Sequence, residues 1–374
     1  MSDNNKLSRK SYLNKNLGNF SSTVEFNGIT YEKVEDLRYG TNPHQSAAYY
    51  KPVSVSTPVG SMEILKSGKN GLSQTNLEDI SYALNIVKFF DVSACAVMKH
   101  VNPSGAAVAR NDESIKDVYI KARECDPRAA FGSAVAFNME VDADTAAEIM
   151  SSFVECVVAP SFSPEALSIF NDNETYKINK SIRILKCGSL HDLPRYAGEA
   201  YKRHQTVKIL SDGSLIIAEP LLTNIRSIDD LKPAEAENKR SGKQISTIIP
   251  TKSQLDDLLA AWYINLNVRS NGVVIMKNGH SLSIGTGEQD RVGAVEQAIW
   301  KYEQKYQGNE LIQDSVMSSD GFFPFQDAVE VAAKAGVTAI ISPAGSLRDA
   351  DVIKQANELQ VALVHAPERI FSHH

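Results

Sequence analysis

From Asn76 to the C-terminus, short apolar runs alternate with stretches of helical periodicity, and this constrains the fold more than any other feature of the chain. Strands that are apolar throughout need cover on both faces, and intervening amphipathic helices supply it, so the pattern predicts an α/β protein with helices packed on a mostly parallel sheet. Residues 77–90 are spaced as a helix, and residues 94–98 form a compact apolar strand ending at Lys99-His100. Residues 133–137, 156–159 and 182–185 are predicted strands and 144–153 a helix, while Ser163-Pro164-Glu165 supplies an N-cap, a first-turn proline and an acidic residue. Further on, 254–268 is a predicted helix. Asn278-Gly279 predicts a tight hairpin between strands at 273–276 and 281–284. A helix over 329–335 stops at Gly336, 338–341 and 361–364 are strands, and Ser346-Leu347-Arg348-Asp349 has the form of a capping box. The polar stretch 191–205 suggests a break near residue 197. The expected organisation is a polar arm over 1–35, one α/β half over 36–197 and a second over 198–374.

Thirty-nine Lys and Arg against 45 Asp and Glu give a formal charge of −6, which offers no global basic field for a nucleic-acid backbone. No apolar run approaches the ~20 residues that would cross a bilayer. Lys6, Arg9, Lys10 and Lys15 lie among Asn and Ser without the apolar stretch of a secretory signal. Cys95, Cys125, Cys156 and Cys187 are widely separated, with no CxxC pair for a metal or a redox dithiol, which fits buried thiols in a reducing cytoplasm. No metal site is expected.

The chemistry-bearing residues fall in turn-rich polar clusters. They are Arg38-Tyr39-Gly40-Thr41-Asn42-Pro43-His44-Gln45, Lys99-His100-Val101-Asn102-Pro103-Ser104-Gly105, and Asp126-Pro127-Arg128-Ala129-Ala130-Phe131-Gly132. Further clusters are Arg269-Ser270-Asn271, Gly285-Thr286-Gly287-Glu288-Gln289-Asp290-Arg291, Ser319-Asp320-Gly321-Phe322-Phe323-Pro324-Phe325-Gln326-Asp327 and the C-terminal Arg369-Ile370-Phe371-Ser372-His373-His374. Lys99-His100 sits at a strand's carboxyl end, where open α/β sheets bind ligands. By itself Asn76 is a helix N-cap, Glu155 a strand-edge carboxylate, Phe131-Gly132 a tight turn beside a core aromatic, and the Phe322 to Phe325 run core. Gly285-x-Gly287 has the look of a phosphate loop, but the full dinucleotide fingerprint is absent and no nicotinamide site is expected.

Taken together and in order, these clusters resemble the 5-aminoimidazole-4-carboxamide ribonucleotide (AICAR) formyltransferase part of the bifunctional purine-biosynthesis enzymes, from about Leu37 to the C-terminus. The resemblance implies two cytidine-deaminase-like three-layer α/β/α halves that form one formyltransferase unit. The expected reaction moves a formyl group from 10-formyltetrahydrofolate to the 5-amino group of AICAR. In this resemblance His100 matches the general base, Lys99 the group that stabilises the oxyanion or delivers a proton to the folate nitrogen, and Asn271 the residue that orients the formyl oxygen. Arg38, Tyr39 and Arg369 match positions around the nucleotide phosphate, Asn76 the carboxamide, Phe131 and Gly132 the imidazole flank, Glu155 the ribose hydroxyls and Phe322 the substrate ring. Arg291, Phe325 and Asp327 match folate positions. The family's active site is built across a homodimer interface, so a homodimer is expected. Because the motifs begin near residue 37, the sequence reading expects a stand-alone formyltransferase, with the cyclohydrolase step left to another protein.

Three positions depart from the pattern. Asp290 replaces a serine near the folate entrance, Gln326 replaces an arginine, and residues 171–175 replace a lysine-rich turn for which Lys177 or Lys180 are substitutes. A zinc deaminase is excluded by the missing Pro-Cys-x-x-Cys pair. The remaining rivals are a catalytically silent nucleotide-binding paralogue and an AICAR formyltransferase with a different formyl donor.

Overall fold

The computed structural model describes residues 15–53, 55–68, 71–199 and 204–374. Lys6, Arg9 and Lys10 of the expected arm lie outside the described residues. Where the rest of that arm was expected, β1 (Thr23–Phe26) and β2 (Ile29–Asp36) form an antiparallel hairpin, and β3 (Ala48–Pro52) pairs with β2. Strand β2 alternates half-buried with exposed residues, a pattern that apolar runs do not reveal. Asn27 and Gly28, with φ of 52° and 73°, are the two residues of the connecting turn.

The chain continues through β4 (Glu63–Lys66), α1 (Gln74–Val87), β5 (Ala94–Lys99), β6 (Asn102–Val108), α2 (Ile115–Glu124), α3 (Pro127–Ala130), β7 (Ser133–Phe137), α4 (Ala143–Met150), β8 (Val154–Ala159), α5 (Pro164–Asn171) and β9 (Arg183–Lys186). Next come β10 (Thr206–Ile209), β11 (Leu215–Ala218), β12 (Lys232–Pro233), β13 (Glu235–Asn238), β14 (Gly242–Ile245) and α6 (Lys252–Asn265). The last elements are β15 (Val273–Lys277), β16 (His280–Gly285), α7 (Arg291–Lys305), β17 (Ser315–Ser319), α8 (Asp327–Ala335), β18 (Val337–Pro343), α9 (Asp349–Glu358) and β19 (Ala362–Ala366). The class is α/β, as the alternation predicts.

Two compact units are built from this chain. The first holds residues up to Leu84, Met98–Val101 and Phe131–Leu193. Its strands β7, β8 and β9 run parallel, with β4 antiparallel on β9. Every residue of β7 is buried, as cover on both faces requires. Helix α4 is capped by Asp142, which accepts from Thr145 N at 2.8 Å. Ser163 caps α5, with Pro164 at its first position as the sequence predicts.

The second unit holds Asn85–Val97, Asn102–Ala130 and Pro194–His374. Its sheet order is β12-β19-β18-β17-β15-β16-β6. Only β17, β18 and β19 are parallel to one another; β12, β15, β16 and β6 pair antiparallel. The sheet is therefore mixed, a correction to the mostly parallel expectation. Its cause is local: Asn278 and Gly279 adopt φ of 49° and 80° and turn β15 back into β16. The side chains of Val273, Ile275, Leu282, Met317, Phe323, Ile340 and Leu363 share the core with those of α7, α8 and α9. Helix α8 stops at Gly336, at φ 113°. The capping box expected at Ser346 is corrected: α9 starts two residues later with Arg348 at its N-cap, while Asp349 accepts from the Gly345 and Ser346 backbones.

Among the described residues no helix is long and apolar enough to cross a membrane. All four cysteines are free and buried, as expected.

Candidate active site

In the first unit, helix α1 opens with a reciprocal pair: Ser73 N donates to Asn76 Oδ1 at 3.1 Å, and Asn76 N donates to Ser73 Oγ at 3.3 Å. Asn76 is thus the third residue of the helix and not its N-cap, a correction to the sequence reading; Ser73 holds the cap. This leaves the amide's Nδ2 free to donate across to Glu155 Oε2 on β8, at 3.0 Å. The same carboxylate oxygen lies 3.9 Å from Arg183 Nη1 on β9. Arg183 is buried and anchored by its Nε on the Gly71 carbonyl at 2.7 Å.

Arg38 lies close enough to Arg183 for repulsion to lower its pKa, although burial is the larger cause. Its side chain donates to the Tyr39 hydroxyl at 3.1 Å, and its Nε is buried without a hydrogen-bond partner among the described residues. Both buried guanidinium groups feel the partly exposed Glu155 carboxylate, and guanidinium forks suit an oxyanion such as phosphate.

Lys99 and His100 enter this unit at the end of β5. Lys99 Nζ donates to the Phe131 carbonyl. Beside it Gly132, at φ 77°, donates its N–H to the Phe153 carbonyl at 2.8 Å, and a Cβ there would stand 3.4 Å from the Phe153 ring and 3.7 Å from Lys99 Nζ. Those distances are ordinary van der Waals contact, so the glycine answers to the backbone angle rather than to space. Phe131 is more than half exposed and tilts against Phe153, with centroids 5.1 Å apart. The exposed imidazole of His100 stands on a left-handed turn, φ 54° at His100 and 60° at Val101. The structure brings Arg38, Tyr39, Asn76, Lys99, His100, Phe131, Gly132 and Glu155 into this one unit.

The other expected residues, Asn271, Arg291, Phe322, Phe325, Asp327 and Arg369, belong to the second unit. Asn271 donates from its backbone N and its Nδ2 to the Glu288 carbonyl, at 3.1 and 3.0 Å. Its Oδ1 accepts from Arg291 Nη2 at 2.6 Å. Arg291 also forms an ion pair with Asp320, a fully buried carboxylate just past β17 that accepts from Gly272 N at 2.8 Å. Phe371 lies under both Arg369 and Arg291, whose guanidinium carbons are 4.3 and 5.6 Å from its ring centre. The aromatic run divides: Phe323 is core, whereas Phe322 and Phe325 are exposed and Arg348 sits 5.1 Å over the Phe325 ring. Asp327 is exposed at the first position of α8.

Among the described residues no group of three or more His, Cys, Asp or Glu side chains is arranged to hold a metal ion.

A family model for the AICARFT/IMPCHase bienzyme matches residues 7–301. The chain belongs to that family. It is 36% identical over 345 residues to the bifunctional purine biosynthesis protein PurH of Oceanobacillus iheyensis, an alignment covering 92% of this chain and 60% of that protein. With the PurH of Acetivibrio thermocellus it shares 38% over 366 residues, 97% of this chain and 63% of the relative. The chain thus spans about three fifths of the length of these bienzyme relatives.

In this AICARFT/IMPCHase member the Asp290 departure has a local explanation. Asp290 is the N-cap of α7 and accepts from Gly293 N at 2.7 Å, a task that Ser and Asp perform about equally well. Sequence reasoning missed Arg183 and Asp79, and it placed Asp320 in a polar cluster without giving it a role. Each is a charged residue within an apolar context: Arg183 in a buried strand, Asp320 at the end of one, and Asp79 between Leu77 and Ile80 on the buried face of α1. A charge placed where the pattern calls for an apolar side chain was the available signal.

Proposed function

We propose that this chain transfers a formyl group from 10-formyltetrahydrofolate to the 5-amino group of AICAR, giving the formamido nucleotide that is cyclised to inosine monophosphate. The observation that carries the reading is the Lys99–His100 pair at the end of β5, in the same unit as the buried Arg38–Arg183 pair and the Asn76–Glu155 bond. Membership of the bienzyme family supports it.

The reacting amine is conjugated with its ring and carboxamide, so attack requires proton removal as the new bond forms. His100 takes that proton while the amine nitrogen bonds to the formyl carbon, a contribution of roughly 10²–10⁴-fold. The carbonyl electrons move to oxygen, where an ammonium and an amide donor are worth about 10²–10³-fold each. Lys99 and Asn271 serve there. The intermediate then collapses: the bond from the formyl carbon to the folate nitrogen breaks, that nitrogen is protonated, and tetrahydrofolate leaves. Arg38, Tyr39 and Arg369 receive the phosphate, Glu155 the ribose hydroxyls, Asn76 the carboxamide, and Phe131, Gly132 and Phe322 the imidazole ring. Phe325 and Asp327 meet the folate, the carboxylate accepting from pterin N–H groups. Arg291 contributes to donor placement through the Asn271 amide that it holds.

The same reading includes a homodimer with interface active sites, two cytidine-deaminase-like halves and a cytoplasmic location suited to four reduced thiols. His100→Ala tests it. Turnover with AICAR falls by at least ~10²-fold while circular dichroism and AICAR binding persist; turnover within threefold of wild type would remove His100 as the base.

A further inference from the structure

Two consecutive residues of left-handed backbone are uncommon, and a β-branched residue there is an outlier. His100 and Val101, at φ 54° and 60°, are such a pair, so something must hold the turn. Val101 N donates to Asp79 Oδ1 at 2.7 Å. The backbone N–H of His100 is directed at the same carboxylate. Successive N–H groups converging on one anion form a nest, and here the anion is a buried side chain of α1. Asn76 sits one turn earlier on that helix, so a single element both reaches Glu155 and fixes the turn beneath His100.

We infer that Asp79 is a positioning residue: its carboxylate sets the left-handed turn at His100–Val101 and thereby aims the His100 imidazole at the reacting amine. The inference rests on the reading of His100 as the base. Asp79 makes no contact with substrate in this account. Its removal misplaces a catalytic group without removing a binding one, and a displacement of about 1 Å is enough for ~10²-fold in rate.

The test is steady-state kinetics with AICAR and 10-formyltetrahydrofolate on the wild type, Asp79→Ala, Asp79→Asn, and Asp79→Ala combined with His100→Ala or Val101→Gly. In Asp79→Ala, kcat is expected to fall about 10²-fold with the KM for AICAR changed less than about threefold. Asp79→Asn keeps an acceptor oxygen and holds kcat within about fivefold. The double variant with His100→Ala is no slower than His100→Ala alone, because both changes act on one group. Glycine adopts the left-handed turn without strain, so Val101→Gly restores at least about tenfold of kcat in the Asp79→Ala background. Faster hydrogen exchange at the Val101 amide in Asp79→Ala reports the lost bond independently of activity, and Asp79→Asn carries the comparison if the alanine variant does not fold. Active wild type with Asp79→Ala unchanged in kcat, or an additive loss in the His100 double variant, overturns the positioning role alone. A wild type that does not formylate AICAR overturns the reading of His100 and this inference with it.

Discussion

Arg291 holds the side-chain oxygen of Asn271 at 2.6 Å, and the Glu288 carbonyl accepts one N–H of that amide at 3.0 Å. Neither end of the amide can turn without losing a bond. Asp320 in turn neutralises Arg291 and fastens Gly272 N, so one buried carboxylate locks both the guanidinium and the backbone beside Asn271.

Replacing Arg291 by Met leaves the Asp320 charge buried and unpaired, which costs about 3–5 kcal/mol in such pairs. Urea unfolding is expected to show the midpoint falling with the slope unchanged. Arg291→Lys is milder in stability but still lowers kcat, because one ammonium cannot reach both partners with the fork geometry of a guanidinium. An Arg291→Met protein as stable as wild type would contradict the arrangement.

Asn76 joins a helix cap to Glu155 on β8. Asn76→Ala loses the reciprocal bond with Ser73, roughly 1 kcal/mol. Asn76→Asp keeps the acceptor but sets a second carboxylate about where the amide stands, 3.0 Å from Glu155. With Glu155 about a third exposed the repulsion is screened, so the expected extra loss at pH 8 relative to pH 5 is about 1 kcal/mol or less. Thermal unfolding at the two pH values measures it, and an Asp variant with no pH dependence beyond wild type counts against the pairing.

Lys88 is buried and donates to Asn85 Oδ1 and to the Pro194 carbonyl, each at 2.5 Å. Burial, with Arg195 nearby, lowers its ammonium from 10.5 to about 7. Between those values the unfolded chain binds more protons than the folded one, so this residue's contribution to stability rises with pH up to 10.5 and is lost as pH falls through 7. Lys88→Met removes the titration. From about pH 7.5 to 9.5 the wild type is expected to gain on the variant by up to about 1.4 kcal/mol per pH unit. Parallel stability curves would place the proton elsewhere.

How much was legible in the sequence follows from where its signals are local. The bounds of β7 are legible because Ser133–Phe137 is an isolated apolar run, and the hairpin at Asn278-Gly279 is legible because that pair favours φ above zero. The identical Asn27-Gly28 pair is harder to read as a hairpin, since β2 after it alternates half-buried with exposed side chains. Asn76 has the form of an N-cap in the sequence because the serine three residues earlier, which holds the cap, lies outside the apolar pattern. At the candidate site the residues with unusual neighbours, Lys99-His100 above all, stood out as a motif. Of those that only hold others, Asp79 and Arg183 do not stand out, and Asp320 does so only as part of a polar cluster. Their roles depend on partners distant in sequence: Gly71 for Arg183 and Gly272 for Asp320.

The central claim is the reaction itself, and a donor-comparison assay tests it most directly. Purified protein is incubated with AICAR and either 10-formyltetrahydrofolate or formate with ATP, and the nucleotide is followed by mass spectrometry. The account predicts a product heavier by one formyl group and an equal amount of tetrahydrofolate with the folate donor, and no product with formate and ATP. Formylation from formate and ATP alone, or AICAR recovered unchanged with both donors, would contradict it.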